Sequence, residues 1–150
     1  MIACFVESPE TMAYHMGTMV KISTELLGRL IALANAHDEE ICGLLLGTAE
    51  RIVEAQVCPN IAADPAHRFE IDPVALFAAH RAARAGGAQI IGNYHSHPYG
   101  SPMPSVTDAE NAAPDGGYWL ILGRGSARLW RALPGDGGRT RFIEAVLATD

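Results

Sequence analysis

The sequence predicts an α/β or α+β fold, a β-sheet with helices on both sides, from three observations. Apolar strand-like runs alternate along the chain with segments of helical periodicity, which is typical of a layered sandwich. The 150 residues match one domain, and 49% of them are hydrophobic, which is enough for a core without disulfides. Only 19% of the residues are charged, so the composition excludes wholesale disorder.

The N-terminal part of the chain is predicted to contain an extension, a short strand and a helix. Residues 1–18 show no sustained periodicity, so we expect a poorly ordered extension followed by one folded domain, residues 19–150. The strand is predicted at residues 20–22. The helix begins after an N-cap, Ser23, and an apolar stripe continues to about residue 36.

The rest of the chain alternates between predicted strands and helices. Residues 41–46 form a continuous apolar run and residues 51–57 alternate loosely, so both are predicted strands. Asp72-Pro73 is a helix start, because a capping residue precedes proline at the first helical position, and this helix ends near residue 86. Residues 89–97 form a strand with an apolar centre. A short helix and three strands are then predicted at residues 105–113, 118–122, 127–133 and 141–146.

Charge and cysteine content exclude several classes of function. The chain has 11 basic and 17 acidic residues and a net charge of −6, and its basic residues are scattered singly. Nucleic acids and anionic membranes bind clustered basic residues, so neither is an expected partner. Three cysteines, Cys4, Cys42 and Cys58, form neither a disulfide framework nor a CxxC pair. With no signal peptide and no apolar run of membrane-spanning length, a cytoplasmic location is expected.

Two histidines end the predicted strand 89–97. His95 and His97 are separated by one residue and followed by Pro98. Side chains alternate across a strand, so both imidazoles lie on one face and can converge on a single point. A metal site is one explanation for this pair, and exposed or hydrogen-bonded histidines at the rim of the sheet are the ordinary alternative.

The next side chain with metal-ligand chemistry is Asp108. It follows a proline-rich loop, residues 98–104, which is stiff enough to return the carboxylate to the histidines at modest entropic cost. Two histidines and one carboxylate leave a fourth tetrahedral position free, as in catalytic zinc sites. Alternatively, Ser105 and Asp108 match a helix capping box, and a carboxylate bound to metal is less free to fold back on the capping residue.

Together these residues resemble a known signature. His95-x-His97, seven residues, and then Ser105-x-x-Asp108 is similar to the JAMM (MPN+) motif of the Mov34/MPN/PAD-1 family of zinc metalloproteases. Residues 40–47, E-I-C-G-L-L-L-G, resemble the E-x-C-G-L-L-x-G strand of that family. The resemblance extends from about residue 19 to the C-terminus and is closest to the small single-domain prokaryotic type.

The resemblance implies a fold and a set of roles. The fold would be a deaminase-like sandwich with a curled, mixed β-sheet. One zinc ion per chain would be bound by His95, His97, Asp108 and a water. Glu40 would be the general base that deprotonates this water, and Ser105 would donate a hydrogen bond to the oxyanion. The spacing to Cys42 selects Glu40 rather than Glu39, which we expect to be solvated.

The implied activity is that of a zinc metallopeptidase of the isopeptidase or deubiquitinase-like type. The substrate would be an amide bond after the C-terminal Gly-Gly of a ubiquitin-like or sulfur-carrier protein, bound as an added strand beside residues 89–97. The segments 60–70 and 98–104 would flank it. A peptidase of cell-wall or phage-tail peptides and a non-catalytic MPN scaffold are the alternatives. RadC-like proteins share a similar His-x-His-Pro segment, but they do not carry the type of strand that runs here from Cys42 to Gly47. We expect Cys42 to be a small buried residue of that strand.

Overall fold

The computed structural model describes residues 18–150. The predicted extension, residues 1–18, therefore lies outside the described residues except for Thr18, whose carbonyl accepts a hydrogen bond from the Val146 amide at 3.1 Å. The first strand of the described residues is Met19–Ile22, and the boundary of the domain at residue 19 stays a prediction.

Strands and helices alternate in the predicted order through the described part of the chain. The strands are β1 (Met19–Ile22), β2 (Cys42–Gly47), β3 (Arg51–Cys58), β4 (Gln89–His97), β5 (Tyr118–Gly123), β6 (Ser126–Pro134) and β7 (Thr140–Thr149). The helices are α1 (Thr24–Asn35), α2 (Pro73–Arg84) and α3 (Val106–Asn111), and a single 3-10 turn, Asp136–Gly138, precedes β7.

Local capping explains where the two longer α-helices begin. The Ser23 hydroxyl accepts a hydrogen bond from the Leu26 amide at 3.0 Å, which caps α1. The Asp72 carboxylate accepts one from the Val74 amide at 3.0 Å, and proline follows at the first position of α2. Each cap satisfies a backbone donor that has no partner inside its helix, so short polar residues set these boundaries.

The seven strands form one curled, mixed sheet that closes on itself. Their order is β1-β3-β2-β4-β5-β6-β7, and β7 pairs with β1. β1 is parallel to both of its neighbours and β4 is parallel to β5, whereas the other pairs are antiparallel. The predicted mixed α/β fold with a curled sheet is confirmed.

The two longer helices cover opposite faces of this sheet. Leu45 belongs to the main core cluster, in which Leu26 and Leu30 of α1 pack against sheet residues. The next residue, Leu46, points the other way and packs in a cluster with Ala79 of α2. The alternation of buried side chains along β2 thus explains why the sheet carries helices on both sides, as predicted.

Strand β4 lies in the interior of the sheet. It pairs with β2 over Gln89–His95 and with β5 over Gly92–His97. The expectation that a substrate strand adds beside β4 is therefore wrong, because the backbone groups that such a strand needs are already bonded to β2 and β5. Among residues 18–150, no helix is long and apolar enough to cross a membrane.

Candidate metal centre

Two histidines meet at the end of β4. His95 is fully buried, and the His97 side chain is 13% exposed. Because they are two residues apart on a strand, both rings lie on the same face, as predicted. Their Nε2 atoms are 3.0 Å apart. The strand end thus presents two ring nitrogens to one point.

Asp108 lies in the first turn of α3 and brings its carboxylate to the two histidines. Its oxygens lie 3.2 Å from Nε2 of His95 and 3.2 Å from Nε2 of His97. The same carboxylate accepts a hydrogen bond from the Ser105 amide at 2.9 Å, and the Asp108 amide donates to the Ser105 hydroxyl at 3.0 Å. The carboxylate therefore caps α3 and contacts both histidines at the same time.

Glu40 completes the group of titratable side chains at this site. It precedes β2 and is 5% exposed, whereas Glu39 beside it is exposed. One carboxylate oxygen of Glu40 and one ring nitrogen of each histidine lie within 4.8 Å of one another. The structure thus brings Glu40, His95, His97 and Asp108 together and leaves Glu39 in solvent.

The segment that carries Glu40 is held at several points. The Glu40 amide donates to the Pro65 carbonyl at 2.8 Å, and the side-chain amide of Asn60 donates to the Glu40 carbonyl at 2.9 Å. The next amide, that of Ile41, donates to the hydroxyl of Ser96 at 2.9 Å. Ser96 is buried and lies between the two histidines in sequence. One strand therefore positions both the histidines and the glutamate.

Burial and mutual contact shift the pKa values of these groups. Burial raises the pKa of Glu40 to about 7, only partly opposed by nearby His97. Burial would also raise the pKa of Asp108, but hydrogen bonds from both histidines outweigh it and hold that pKa well below its usual range. Burial lowers the pKa of His95, whereas contact with Asp108 overcomes burial and raises the pKa of His97. The site therefore favours an ionised Asp108 and a Glu40 that can exchange a proton near neutral pH.

The second ring nitrogens of the histidines have different surroundings. Nδ1 of His97 lies 2.9 Å from the Ser101 carbonyl and donates its proton there, so Nε2 is the ring nitrogen at which a metal would replace the proton shared with Asp108. Nδ1 of His95 is buried without a hydrogen-bond partner among the described residues. Phe69 instead stacks on the His95 ring, with centroids 4.3 Å apart and planes at 19°, and Trp119 meets that ring edge-on.

The donor set fits a zinc ion. Zinc bonds of about 2.0–2.1 Å in a tetrahedral arrangement separate neighbouring ligand atoms by roughly 3.3 Å. The separations among Nε2 of His95, Nε2 of His97 and the nearer Asp108 oxygens are 3.0 to 3.3 Å. Two neutral imidazoles and one carboxylate are also the donor chemistry that catalytic zinc sites use.

Several residues that shape the site were not predicted from the sequence. Asn60 and Phe69 belong to a segment that shows only loop composition, and each acts on a residue at least 20 positions away in the chain. The sequence does contain one signal of a residue that supports the site, because Ser96 is a polar residue between the two histidines on an apolar strand. Cys42 is buried, as predicted, and burial raises the pKa of its thiol to about 12, which excludes a reactive thiolate.

The sequence is similar to several known proteins whose names describe the cleavage of protein conjugates or the removal of a protein modifier. A desampylase of Haloferax volcanii is 38% identical over 96 residues, which are 61% of this chain and 69% of the relative. A desampylase of Pyrococcus furiosus is 27% identical over 110 residues, 73% of this chain and 78% of the relative. A Thermus thermophilus protein described as "Probable TtuB-protein conjugate cleaving protease" is 35% identical over 71 residues, 47% of this chain and 48% of the relative.

Solved structures share the fold. A protein from Desulfitobacterium hafniense superimposes with a TM-score of 0.71 at 24% identity, covering 88% of this chain and 93% of that one. A JAB1/MPN domain protein from Archaeoglobus fulgidus gives a TM-score of 0.53 at 23% identity, covering 86% of this chain and 99% of that one. The family of prokaryotic homologues of the JAB domain matches residues 23–133. The chain belongs to this family and is a hydrolase of the JAMM metallopeptidase type.

Proposed function

We propose that this protein is a zinc-dependent isopeptidase that hydrolyses the amide bond after the C-terminal Gly-Gly of a ubiquitin-like or sulfur-carrier protein. The observation that carries the proposal is the convergence of His95, His97 and Asp108 within hydrogen-bond distance of one another, beside the buried carboxylate of Glu40. The names of the relatives, which are two desampylases and a protease of TtuB–protein conjugates, support a protein conjugate as the substrate.

Each residue of the centre has a distinct task in this proposal. His95, His97 and Asp108 would hold one zinc ion. A zinc ion bound there supplies an electrophile that lowers the pKa of a bound water to about 7. Glu40 accepts the proton of the attacking water at its carboxylate and delivers it to the nitrogen of the leaving amine. In the metal-free protein, burial raises the pKa of this carboxylate to about 7.

Ser105 is placed to act on the carbonyl oxygen of the bond that is cleaved. Its hydroxyl oxygen accepts from the Asp108 amide, which leaves the O–H of the same group available as a donor. The residue is exposed at the start of α3, beside the carboxylate that faces the histidines. A donor at that position stabilises the negative charge that develops on the carbonyl oxygen during attack.

The zinc requirement is tested by metal analysis. We expect close to one zinc per chain in the purified protein and loss of most of it in His95→Ala and Asp108→Ala, because each removes one of three protein ligands. The control is His80→Ala, which changes an exposed histidine on α2. Full zinc occupancy in both ligand variants would overturn the assignment of the site.

The substrate is tested by incubating the zinc-loaded protein with carrier fusions that end in Gly-Gly-X. Cleavage after the second glycine is expected, with the isolated tail peptide cleaved more slowly because it lacks the folded body of the carrier. Two adjacent glycines suit a narrow approach to a buried centre, since they bring no Cβ atoms. Cleavage of peptidoglycan peptides together with no cleavage of any carrier fusion would instead indicate the cell-wall type of activity.

A further inference from the structure

A cavity of about 600 Å³ opens beside the metal centre. Asp108 and Phe69, which contact the two histidines, are also part of its lining. The lining also includes Asn93 of β4 and Trp119 of β5, which are register partners across the two strands. The cavity therefore continues the metal centre along the same face of the sheet.

Asn93 has an unusual environment within this cavity. The oxygen of its side-chain amide is buried and accepts no hydrogen bond from any of the described residues. A buried polar atom without a partner is destabilising and uncommon in folded proteins. Its register partners on the neighbouring strands are Leu44, which has no polar side-chain group, and Trp119, whose indole N–H makes no hydrogen bond to this oxygen. No described residue donates to this oxygen, and a molecule bound in the cavity would donate to it once the Asn93 side chain turns toward the cavity.

The position of Asn93 indicates which molecule that is. Asn93, His95 and His97 lie on one face of β4 at successive alternate positions, and these are spaced by about 7 Å along a strand. An extended polypeptide repeats its backbone groups with the same spacing. Because β4 is paired on both sides, a polypeptide over this face must bond to side chains rather than to the backbone of β4.

We infer that Asn93 is a substrate-binding residue whose Oδ1 atom accepts a hydrogen bond from a main-chain N–H of an extended polypeptide, about two residues from the bond that is cleaved. The inference rests on the proposed function for the identity of that bond. It adds a specificity element, since an acceptor side chain in the lining of the cavity selects a substrate with an N–H at one position and disfavours one that lacks it.

The first test compares three variants of the zinc-loaded protein. Asn93→Leu removes the acceptor and fills a similar volume, so we expect kcat/KM to fall about tenfold on a Gly-Gly isopeptide substrate. The same change removes an unpaired buried polar atom, so the melting temperature should rise by about 3 °C, with zinc content unchanged. Asn93→Asp keeps an acceptor and should retain more activity than Asn93→Leu. Gln89→Leu, at the exposed far end of β4, is the control.

The second test changes the substrate instead of the protein. In a series of synthetic Gly-Gly isopeptide substrates, one main-chain nitrogen at a time is N-methylated. We expect one methylated position, two residues from the cleaved bond, to lower kcat/KM of the wild type about tenfold while causing no further loss in Asn93→Leu. An equal loss in both proteins at every position, or no loss in Asn93→Leu with the parent substrate, would overturn the inference.

A binding measurement separates this inference from the proposed function. A tail peptide that continues past the two glycines as Gly-Gly-X is titrated into nitrogen-15-labelled protein, and the Asn93 side-chain signal, identified by its absence in Asn93→Leu, is followed by NMR. A shifted signal without cleavage would support the inference and contradict the proposed function. Cleavage without a shift would contradict the inference alone, and the absence of both would contradict the two together.

Discussion

At the scale of single residues, two adjacent glutamates differ completely in their environment. Glu40 is buried beside the histidines, and Glu39 is exposed. The spacing to Cys42 was sufficient to predict that Glu40, and not Glu39, lies beside the histidines, because the number of residues between the glutamate and Cys42 determines which of the two points into the protein. The pKa of Glu40, which burial raises to about 7, could not be predicted, because it depends on residues that only the fold brings together.

Glutamine substitutions at these two positions test the proposed base. Glu40→Gln should retain zinc, because Glu40 is not one of the three proposed ligands, and should lose roughly 10²–10⁴-fold in kcat because a proton acceptor is removed. Glu39→Gln, which makes the same chemical change in solvent, should leave kcat unchanged. Elemental analysis and steady-state kinetics on one conjugate provide the comparison. Equal activity of Glu40→Gln and wild type would show that another group is the base.

Ser105 combines two tasks that a suitable pair of variants can separate. Its oxygen caps α3, and its O–H is proposed to contact the substrate. Ser105→Ala loses both and should cost about 1 kcal/mol of stability and about 10²–10³-fold in kcat. Ser105→Gly costs only a few tenths of a kcal/mol as an N-cap, yet it should lose as much activity. If Ser105→Gly kept wild-type turnover, the hydroxyl would have only a capping role.

At the scale of elements, the segment between β3 and α2 organises the centre through Asn60. Its side-chain nitrogen donates to the carbonyls of Glu40 and Arg68 at 2.9 and 3.1 Å, and its oxygen accepts from the amides of Ala62 and Glu70, both at 3.0 Å. This closed segment carries Phe69, which stacks on His95. The Asn60 side chain thus makes the hydrogen bonds to backbone N–H and C=O groups that neighbouring strands make in a sheet.

Asn60 variants should separate folding from activity. Asn60→Ala loses four hydrogen bonds and should be clearly less stable, whereas Asn60→Asp keeps the two acceptor bonds and loses the donor bonds to Glu40 and Arg68. Both should retain zinc and show about tenfold lower kcat, because the backbone next to Glu40 is released. The control is Gln89→Ala, which removes weak exposed bonds to Ala83 and Gly87. Wild-type kcat in Asn60→Asp would show that the segment only contributes stability.

At the scale of the whole molecule, the sequence predicted the elements but not how the sheet closes. Helix starts such as Asp72-Pro73 are set within a few residues and could be predicted locally. The parallel pairing of β1 with β7, in contrast, joins residues more than 100 positions apart, and no local pattern determines it. The same limit applies to the metal centre, where the histidines and Asp108 were predicted from their spacing but Asn60, Phe69 and Asn93 were not.

An ion pair lies at the closure of the sheet and should make stability depend on pH. Arg51 at the start of β3 and Asp150 after β7 form a bidentate pair, with one N–O distance of 3.1 Å. The hydrogen bond from Arg51 lowers the pKa of Asp150 in the folded protein, so the folded state favours the ionised carboxylate. The stabilisation is present above the unfolded pKa of about 3.9 and is lost as the pH falls through the lowered folded value.

Asp150→Asn should therefore unfold more easily than the wild type at pH 7 and match it in acid below the folded pKa. Because both side chains are partly exposed, the difference at pH 7 should be small and should shrink as salt is added. Denaturant unfolding over a pH series at low and high salt provides the measurement, with Asp136→Asn, an exposed position without an ion pair among residues 18–150, as the control. Because Asp150→Asn leaves the backbone bonds of residue 150 to Ile22 and Thr24 in place, a difference that persisted unchanged in acid would contradict the assignment to the charge of Asp150.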